Sequence, residues 1–150
     1  MDTVTYPQDE VAAFFRDHLL PVRKAHDAEE LGPLFAIVWT PTLILLDALG
    51  REHHRTVGFL DPDELVASLL LGMGKLRLAG DGFEECRQFL GRLLDEYPRS
   101  EFAPEAVYYS GINLFRQTYD PGELGAMYQR LQREYPASGW CNRASPYSIL

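Results

Sequence analysis

The sequence predicts an α/β module over residues 1–71 joined to an all-α module of helical hairpins over residues 72–150. Three observations carry that prediction. Pro41 stands between Thr40 and Thr42 at the mouth of an apolar run, Leu43-Ile44-Leu45-Leu46. Proline has no N–H to give a sheet ladder, so it belongs at the first residue of a strand or in a bulge. A turn of hairpin length, Asp47 to Arg51 with Gly50, leads into a second strand from His53 to Phe59. Beyond Asp61 the pattern becomes helical, and Leu90–Ser100 recurs as Tyr128–Ser138, an offset of 38 residues (97 to 135).

The elements of the first module follow in order. Val11 to Phe15 is an apolar run behind Asp9-Glu10, and acidic residues suit the first turn of a helix because its N-terminus carries partial positive charge. Leu19 to Arg23 reads as a short buried strand, which Pro21 pushes toward an edge or a bulge. Asp27 is placed to cap a second short helix over Asp27–Leu31. Leu34 to Trp39 leads to Pro41. The helix from Asp61-Pro62-Asp63-Glu64 is expected to serve both modules, with Gly72 and Gly74 permitting a bend between them.

The second module is punctuated at Gly80-Asp81-Gly82, Pro98, Asp120-Pro121-Gly122 and Pro136. Pro98 stops one helix, Ser100 is placed to cap the next, and Pro104 is tolerable only in a first helical turn. A two-helix repeat near this length is the mark of an α-solenoid. Helical spacing and the repeat together predict that Leu90, Leu93, Leu94, Val107, Leu114, Tyr128 and Leu131 are buried between antiparallel helices.

Charge and composition narrow the function. The chain carries a net −8; residues 1–71 hold 12 acidic and 5 basic residues (−7), and residues 72–150 hold 10 and 9 (−1). Neither half offers a basic patch, which argues against nucleic acid, and the acidity disfavours anionic membrane surfaces. No apolar run approaches the ~18 residues of a membrane span. MDTVTYPQDE has no basic or apolar leader character, and two cysteines do not make a disulfide framework, so a cytoplasmic protein is expected.

Two resemblances sharpen the reading. Proline, strand, hairpin, strand and closing helix is similar to the second half of the thioredoxin-like superfamily, in which a threonine or isoleucine precedes a cis-proline beside a redox dithiol. The resemblance implies a cis Thr40–Pro41 peptide. Met1, Thr5-Tyr6 and Val11 to Phe15 resemble the tail of the dithiol helix in one subgroup, which implies that the chain begins just after Cys-x-x-Cys and that the module is N-terminally incomplete, lacking its central strand. The phrase Tyr97-Pro98-Arg99-Ser100-Glu101-Phe102-Ala103-Pro104-Glu105-Ala106 resembles the tetratricopeptide-like repeat class over residues 65–147.

No Cys-x-x-Cys occurs in the chain, so no catalytic residue, cofactor or metal is expected. Cys86 and Cys141 fall at repeat positions equivalent to Leu124 and Ala103 and read as small core residues. His53 and His54 alternate across a strand and cannot both serve one metal directly. The candidate binding residues are Trp39, Thr40 and Pro41, on the face the resemblance implies, with Tyr108 and Tyr109 in the solenoid groove. Adjacent tyrosines cannot both face one core, so at least one is available to a surface. A redox-inactive thioredoxin-like protein that binds a protein or peptide partner is the leading expectation. The alternative is a thiol–disulfide oxidoreductase whose Cys-x-x-Cys lies upstream of Met1; a purely structural adaptor is a third. A homodimer is expected through the inner edges of Leu19–Arg23 and Thr42–Asp47, which a missing central strand would leave unpaired.

Overall fold

The computed structural model describes residues 1–25 and 34–150. The chain divides into two compact units, Met1–Val66 and Ala67–Leu150, and is mostly helical. Among the described residues there are six α-helices, one 3₁₀ helix and a two-stranded antiparallel sheet.

In the first unit, helix α1 spans Asp9–His18 and buries Val11 and Phe14. Thr5 is buried ahead of it and donates its hydroxyl to the Leu60 carbonyl at 2.8 Å. The Thr40–Pro41 peptide is cis. Strands β1 (Thr42–Leu46) and β2 (Glu52–Val57) then pair antiparallel, Thr42 opposite Val57 and Leu45 opposite His54, with an irregularity between Leu45 and Leu46. The Pro41 carbonyl accepts from the Gly58 N–H and the Asp47 N–H donates to the Arg51 carbonyl. The backbone groups of residues 41, 43, 45 and 47 therefore face β2, and those of Thr42, Ile44 and Leu46 face away from it.

The segment Leu19–Arg23 corrects the sequence reading. Leu19 is extended, but the segment forms no strand, and Leu20 is 90% exposed. Its apolar residues gain no ladder, and Arg23 turns instead to Asp2 in an exposed ion pair at 2.8 Å. The helix expected at Asp27–Leu31 lies outside the described residues.

Asp47 organises the hairpin turn. Its carboxylate accepts from the Leu49 N–H (2.8 Å), the Arg51 N–H (2.9 Å) and Arg51 Nε (2.6 Å), and it meets His53 Nε2 at 3.2 Å. Gly50, at φ +77°, supplies the left-handed residue that the turn requires. These bonds, the one from the Arg51 backbone first, hold the Asp47 carboxyl well below the usual carboxylate range. A depressed folded-state pKa adds stability that is complete above the unfolded value of about 3.9 and is lost as pH falls toward the folded one. The thermal midpoint is therefore expected to drop more steeply between about pH 5 and pH 2 in the parent than in Asp47→Asn. Parallel pH profiles in circular dichroism melts would show that the carboxylate does not hold the turn.

Helix α2 (Pro62–Ala79) starts with Asp61 Oδ1 accepting from the Glu64 N–H at 2.9 Å and Pro62 in the first turn. It runs unbroken through Gly72 and Gly74. Gly74 serves close approach instead: a Cβ there would stand 2.5 Å from Leu90 Cδ2.

The second unit continues with α3 (Phe83–Glu96), α4 (Ala103–Thr118), α5 (Gly122–Glu134), α6 (Gly139–Ala144) and a 3₁₀ turn over Ser145–Ile149. Helix α4 packs against α3 and α5, and the short connections reverse the chain each time. Asn113, near the end of α4, donates to the Phe83 carbonyl at the start of α3, as antiparallel neighbours must. Successive repeats are tied at equivalent levels. Arg116 Nη1 donates to the Leu78 carbonyl at 2.9 Å, one repeat earlier, and the Tyr135 hydroxyl donates to the Pro98 carbonyl at 2.9 Å.

Leu90, Leu93, Val107 and Leu131 are buried, whereas Leu94, Leu114 and Tyr128 are only half-buried. For Tyr128 the difference lies in the crossing of α4 and α5, where Met127 meets Gly111. Ser100 also differs from expectation. Its hydroxyl accepts from the Phe102 N–H, and α4 starts later, at Ala103, with Pro104 buried in its first turn. Its repeat equivalent Ser138 does cap α6, accepting from the Cys141 N–H at 3.1 Å.

Candidate functional site

The five candidate binding residues fall in two places. Trp39, Thr40 and Pro41 belong to the first unit. Trp39 is 68% exposed and Thr40 is exposed, while Pro41 is half-buried. The Thr42 hydroxyl donates to the Trp39 carbonyl at 2.6 Å, which folds this corner onto the start of β1. Gly58, at φ +106°, ends the partner strand in a backbone region that favours glycine. Trp39 and Thr40 thus form a presented corner with no ionisable side chain of their own.

Tyr108 and Tyr109 lie on α4 in the second unit and are both half-buried. The core does not separate them, because Trp140 of α6 receives both. Tyr108 lies 5.0 Å from Trp140 and Tyr109 lies 6.0 Å from it, centroid to centroid, in tilted geometries. The two tyrosines meet edge to face at 5.9 Å. Such offsets suit aromatic quadrupoles better than face-to-face stacking. Cations sit over two of the rings. The Arg143 guanidinium is 4.5 Å from the Trp140 centroid and Lys75 Nζ is 5.3 Å from that of Tyr109. Lys75 is also paired with Glu105 at 3.0 Å.

The surface continues past Tyr108. Burial, and then a hydrogen bond to Tyr147, raise the Tyr108 phenol above its ordinary pKa. Tyr147 in turn borders a depression of about 280 Å³ lined with Tyr128, Gln129, Gln132, Ser148 and Leu150. Gly125 also lines it, and a Cβ there would come within 2.7 Å of the Leu150 carbonyl oxygen. An aromatic strip with two cations therefore runs into a depression bearing amide and hydroxyl groups. That combination offers stacking, cation–anion contact and hydrogen bonds to an extended chain.

The thiols stand apart from both places. Cys86 and Cys141 are buried and free. Burial pushes the Cys86 thiol up to about 11, against a weaker lowering by Arg116. The thiolate, which is the reactive form, is thereby disfavoured at pH 7. Among the described residues no group of three His, Cys, Asp or Glu side chains gathers to hold a metal, and no helix is long and apolar enough to cross a membrane.

Sequence reasoning selected Tyr108 and Tyr109 but did not place Trp140, Arg143, Lys75 or Tyr147 beside them. The repeat held part of the signal. Its offset pairs Trp140 with Phe102 and Tyr147 with Tyr109, marking both as structural equivalents of aromatic residues one repeat earlier. Compared with protein-family models, curated proteins and solved structures, the chain matches none.

Proposed function

We propose that the chain is a cytoplasmic, redox-inactive binding module that joins a thioredoxin-like half to tetratricopeptide-like hairpins and captures an extended segment of a protein or peptide partner. The observation that carries the reading is the meeting of Tyr108, Tyr109 and Trp140, half-exposed, with Arg143 on the Trp140 face. Half-exposed aromatic rings with fixed neighbours supply contact area at little entropic cost, and Arg143 favours a carboxylate on the partner. Helical repeats present such strips along one surface, where extended peptides are read side chain by side chain. The absence of chemistry through the chain's own thiols is supported by their burial and by the raised Cys86 pKa.

The test is a screen against a random dodecapeptide library, followed by titration of selected peptides into a Trp39→Phe background, where Trp140 is the remaining tryptophan. Acidic peptides with an aromatic or proline residue are expected to change Trp140 fluorescence. Tyr109→Ala is expected to weaken them at least about tenfold, or roughly 1.4 kcal/mol, with the helical circular dichroism unchanged. Retained affinity in Tyr109→Ala and in Arg143→Ala would remove this site from the function.

A further inference from the structure

We propose that Arg143 and the Tyr147 hydroxyl form a two-donor site for one carboxylate of the bound peptide, and that this carboxylate sets where the peptide enters the depression beside Tyr147. The site rests on the reading of the aromatic strip as a peptide surface, and adds the one ionised group that such a peptide must carry.

Three observations lead to it. The first is placement. Arg143 follows Trp140 by three residues on α6, and Tyr147 follows Arg143 by four, in the 3₁₀ turn. The guanidinium is exposed, 4.5 Å from the Trp140 centroid, while Tyr147 is half-buried against the cluster of Val107, Leu124 and Met127. Tyr147 also lines the depression, so it stands where the strip passes into it. The second is the supply of hydrogens. Burial, and then the hydrogen bond to Tyr147, raise the Tyr108 phenol above its ordinary pKa. A hydrogen bond that raises a phenol's pKa favours its neutral form, so Tyr108 is the donor and Tyr147 the acceptor. A hydroxyl that accepts still has its own hydrogen to give. Arg143 pulls the Tyr108 phenol the other way, which puts its positive charge within electrostatic reach of the two hydroxyls. A guanidinium and a hydroxyl hydrogen are thus offered side by side at the mouth of the depression.

The third observation, the balance of charge, decides the ligand group. Lys75, at the other end of the strip, is already matched by Glu105 at 3.0 Å, and both side chains are largely covered. Among the described residues no carboxylate is paired with Arg143. The depression is lined by the side chains of Tyr128, Gln129, Gln132, Tyr147, Ser148 and Leu150, none of them charged at pH 7. Strip and depression together therefore present one unmatched positive side chain. A carboxylate brings one negative charge and only acceptor atoms, which suits a guanidinium beside an O–H donor. A phosphate brings about −1.5 to −2, more than Arg143 alone can balance on a chain of net −8. A second carboxylate at the Lys75 end would meet Glu105. Beyond the carboxylate, the amides of Gln129 and Gln132 and the Ser148 hydroxyl are matched to the neutral N–H and C=O groups of a peptide backbone. An acidic side chain and a chain terminus offer the same carboxylate chemistry.

The test applies the whole chain, fluorescently labelled at its N-terminus, to an array of synthetic dodecapeptides of random uncharged sequence. Each peptide is made with both ends blocked, blocked with one central glutamate, blocked with one central phosphoserine, and with a free C-terminal carboxylate. The parent is expected to retain the glutamate form, the free-terminus form or both at least about tenfold better than the uncharged form. Whichever it retains identifies the source of the carboxylate. Tyr147→Phe keeps the buried ring and removes only the hydroxyl, and Arg143→Gln changes an exposed side chain. Each is expected to abolish most of the preference for the carboxylate, with the helical circular dichroism and the weaker, Tyr109-dependent retention of the uncharged form unchanged. Equal retention of all forms, a preference for phosphoserine over glutamate, or a carboxylate preference that Tyr147→Phe leaves intact would overturn the proposal and leave the peptide surface standing. Retention of no form, or retention that Tyr109→Ala does not weaken, would overturn the peptide surface and the proposal with it.

Discussion

Leu93→Ala is expected to lower the stability of the second unit by about 2–5 kcal/mol, the range for a large-to-small change in a packed core. Leu93 is wholly buried on α3, one turn before the helix ends at Glu96. Its repeat equivalent on α5, Leu131, is also wholly buried, within a cluster that includes Val107, Met127, Cys141 and Ala144. Truncation removes three carbon atoms from surroundings held on several sides by helices, so the site closes only partly and a cavity remains. Leu131→Ala should therefore cost a similar amount. Leu94→Ala, half-buried on the neighbouring position, should cost less. The check is a urea titration of the three variants with the slope held common. An unchanged midpoint for Leu93→Ala would mean that α3 presents a different face to the core.

Two glycine substitutions are expected to have opposite signs. A Cβ on Gly111 would lie 2.5 Å from Met127 Cβ and 2.8 Å from its Cγ, atoms close to the backbone of α5 that cannot swing aside. Gly111→Ala must then push α4 and α5 apart. Overpacking of this kind costs about 1–3 kcal/mol, against about 1 kcal/mol gained from the helix propensity of alanine. Net destabilisation follows. Gly91, inside α3, has nothing within 4 Å of the same construction. Gly91→Ala should stabilise by about 0.5–1 kcal/mol, because only the backbone entropy of glycine is removed. Thermal midpoints of the two variants give the answer, and stabilisation by Gly111→Ala would mean that the helices are not in contact there.

The helical half was the more legible part of the fold. Pro98, Pro104 and the recurrence of Tyr-Pro-x-Ser mark where helices stop and start, because proline and turn chemistry act locally. Leu90, Leu93 and Leu131 could be assigned to the core because helical periodicity reports a buried face directly. Leu19–Arg23 could not be read the same way. Its apolar residues look like a strand, but a strand exists only if another one pairs with it, and none of the described residues does so. The close approaches were hidden for a related reason. Gly74 meets Leu90 and Gly111 meets Met127, each sixteen residues on (74 to 90, 111 to 127), a spacing that becomes meaningful only once the hairpin geometry is known. The candidate site was half legible. Adjacent tyrosines are conspicuous in sequence, but their convergence on Trp140 depends on how α6 returns to α4.

The bonds from Arg116 to the Leu78 carbonyl and from Tyr135 to the Pro98 carbonyl give the repeat array a direction. In both, a side chain of α4 or of the end of α5 donates to a carbonyl at or just beyond the C-terminal end of α2 or α3, and the Leu78 carbonyl also accepts from the Asp81 N–H. Arg116 reinforces the first tie through Asp81 in the loop that follows. Loss of α4 and α5 would take a donor from two carbonyls of the preceding pair, whereas loss of α2 and α3 would release side chains that water can solvate. The two helix pairs are thereby coupled as nearest neighbours, the later one acting as the clasp of the earlier.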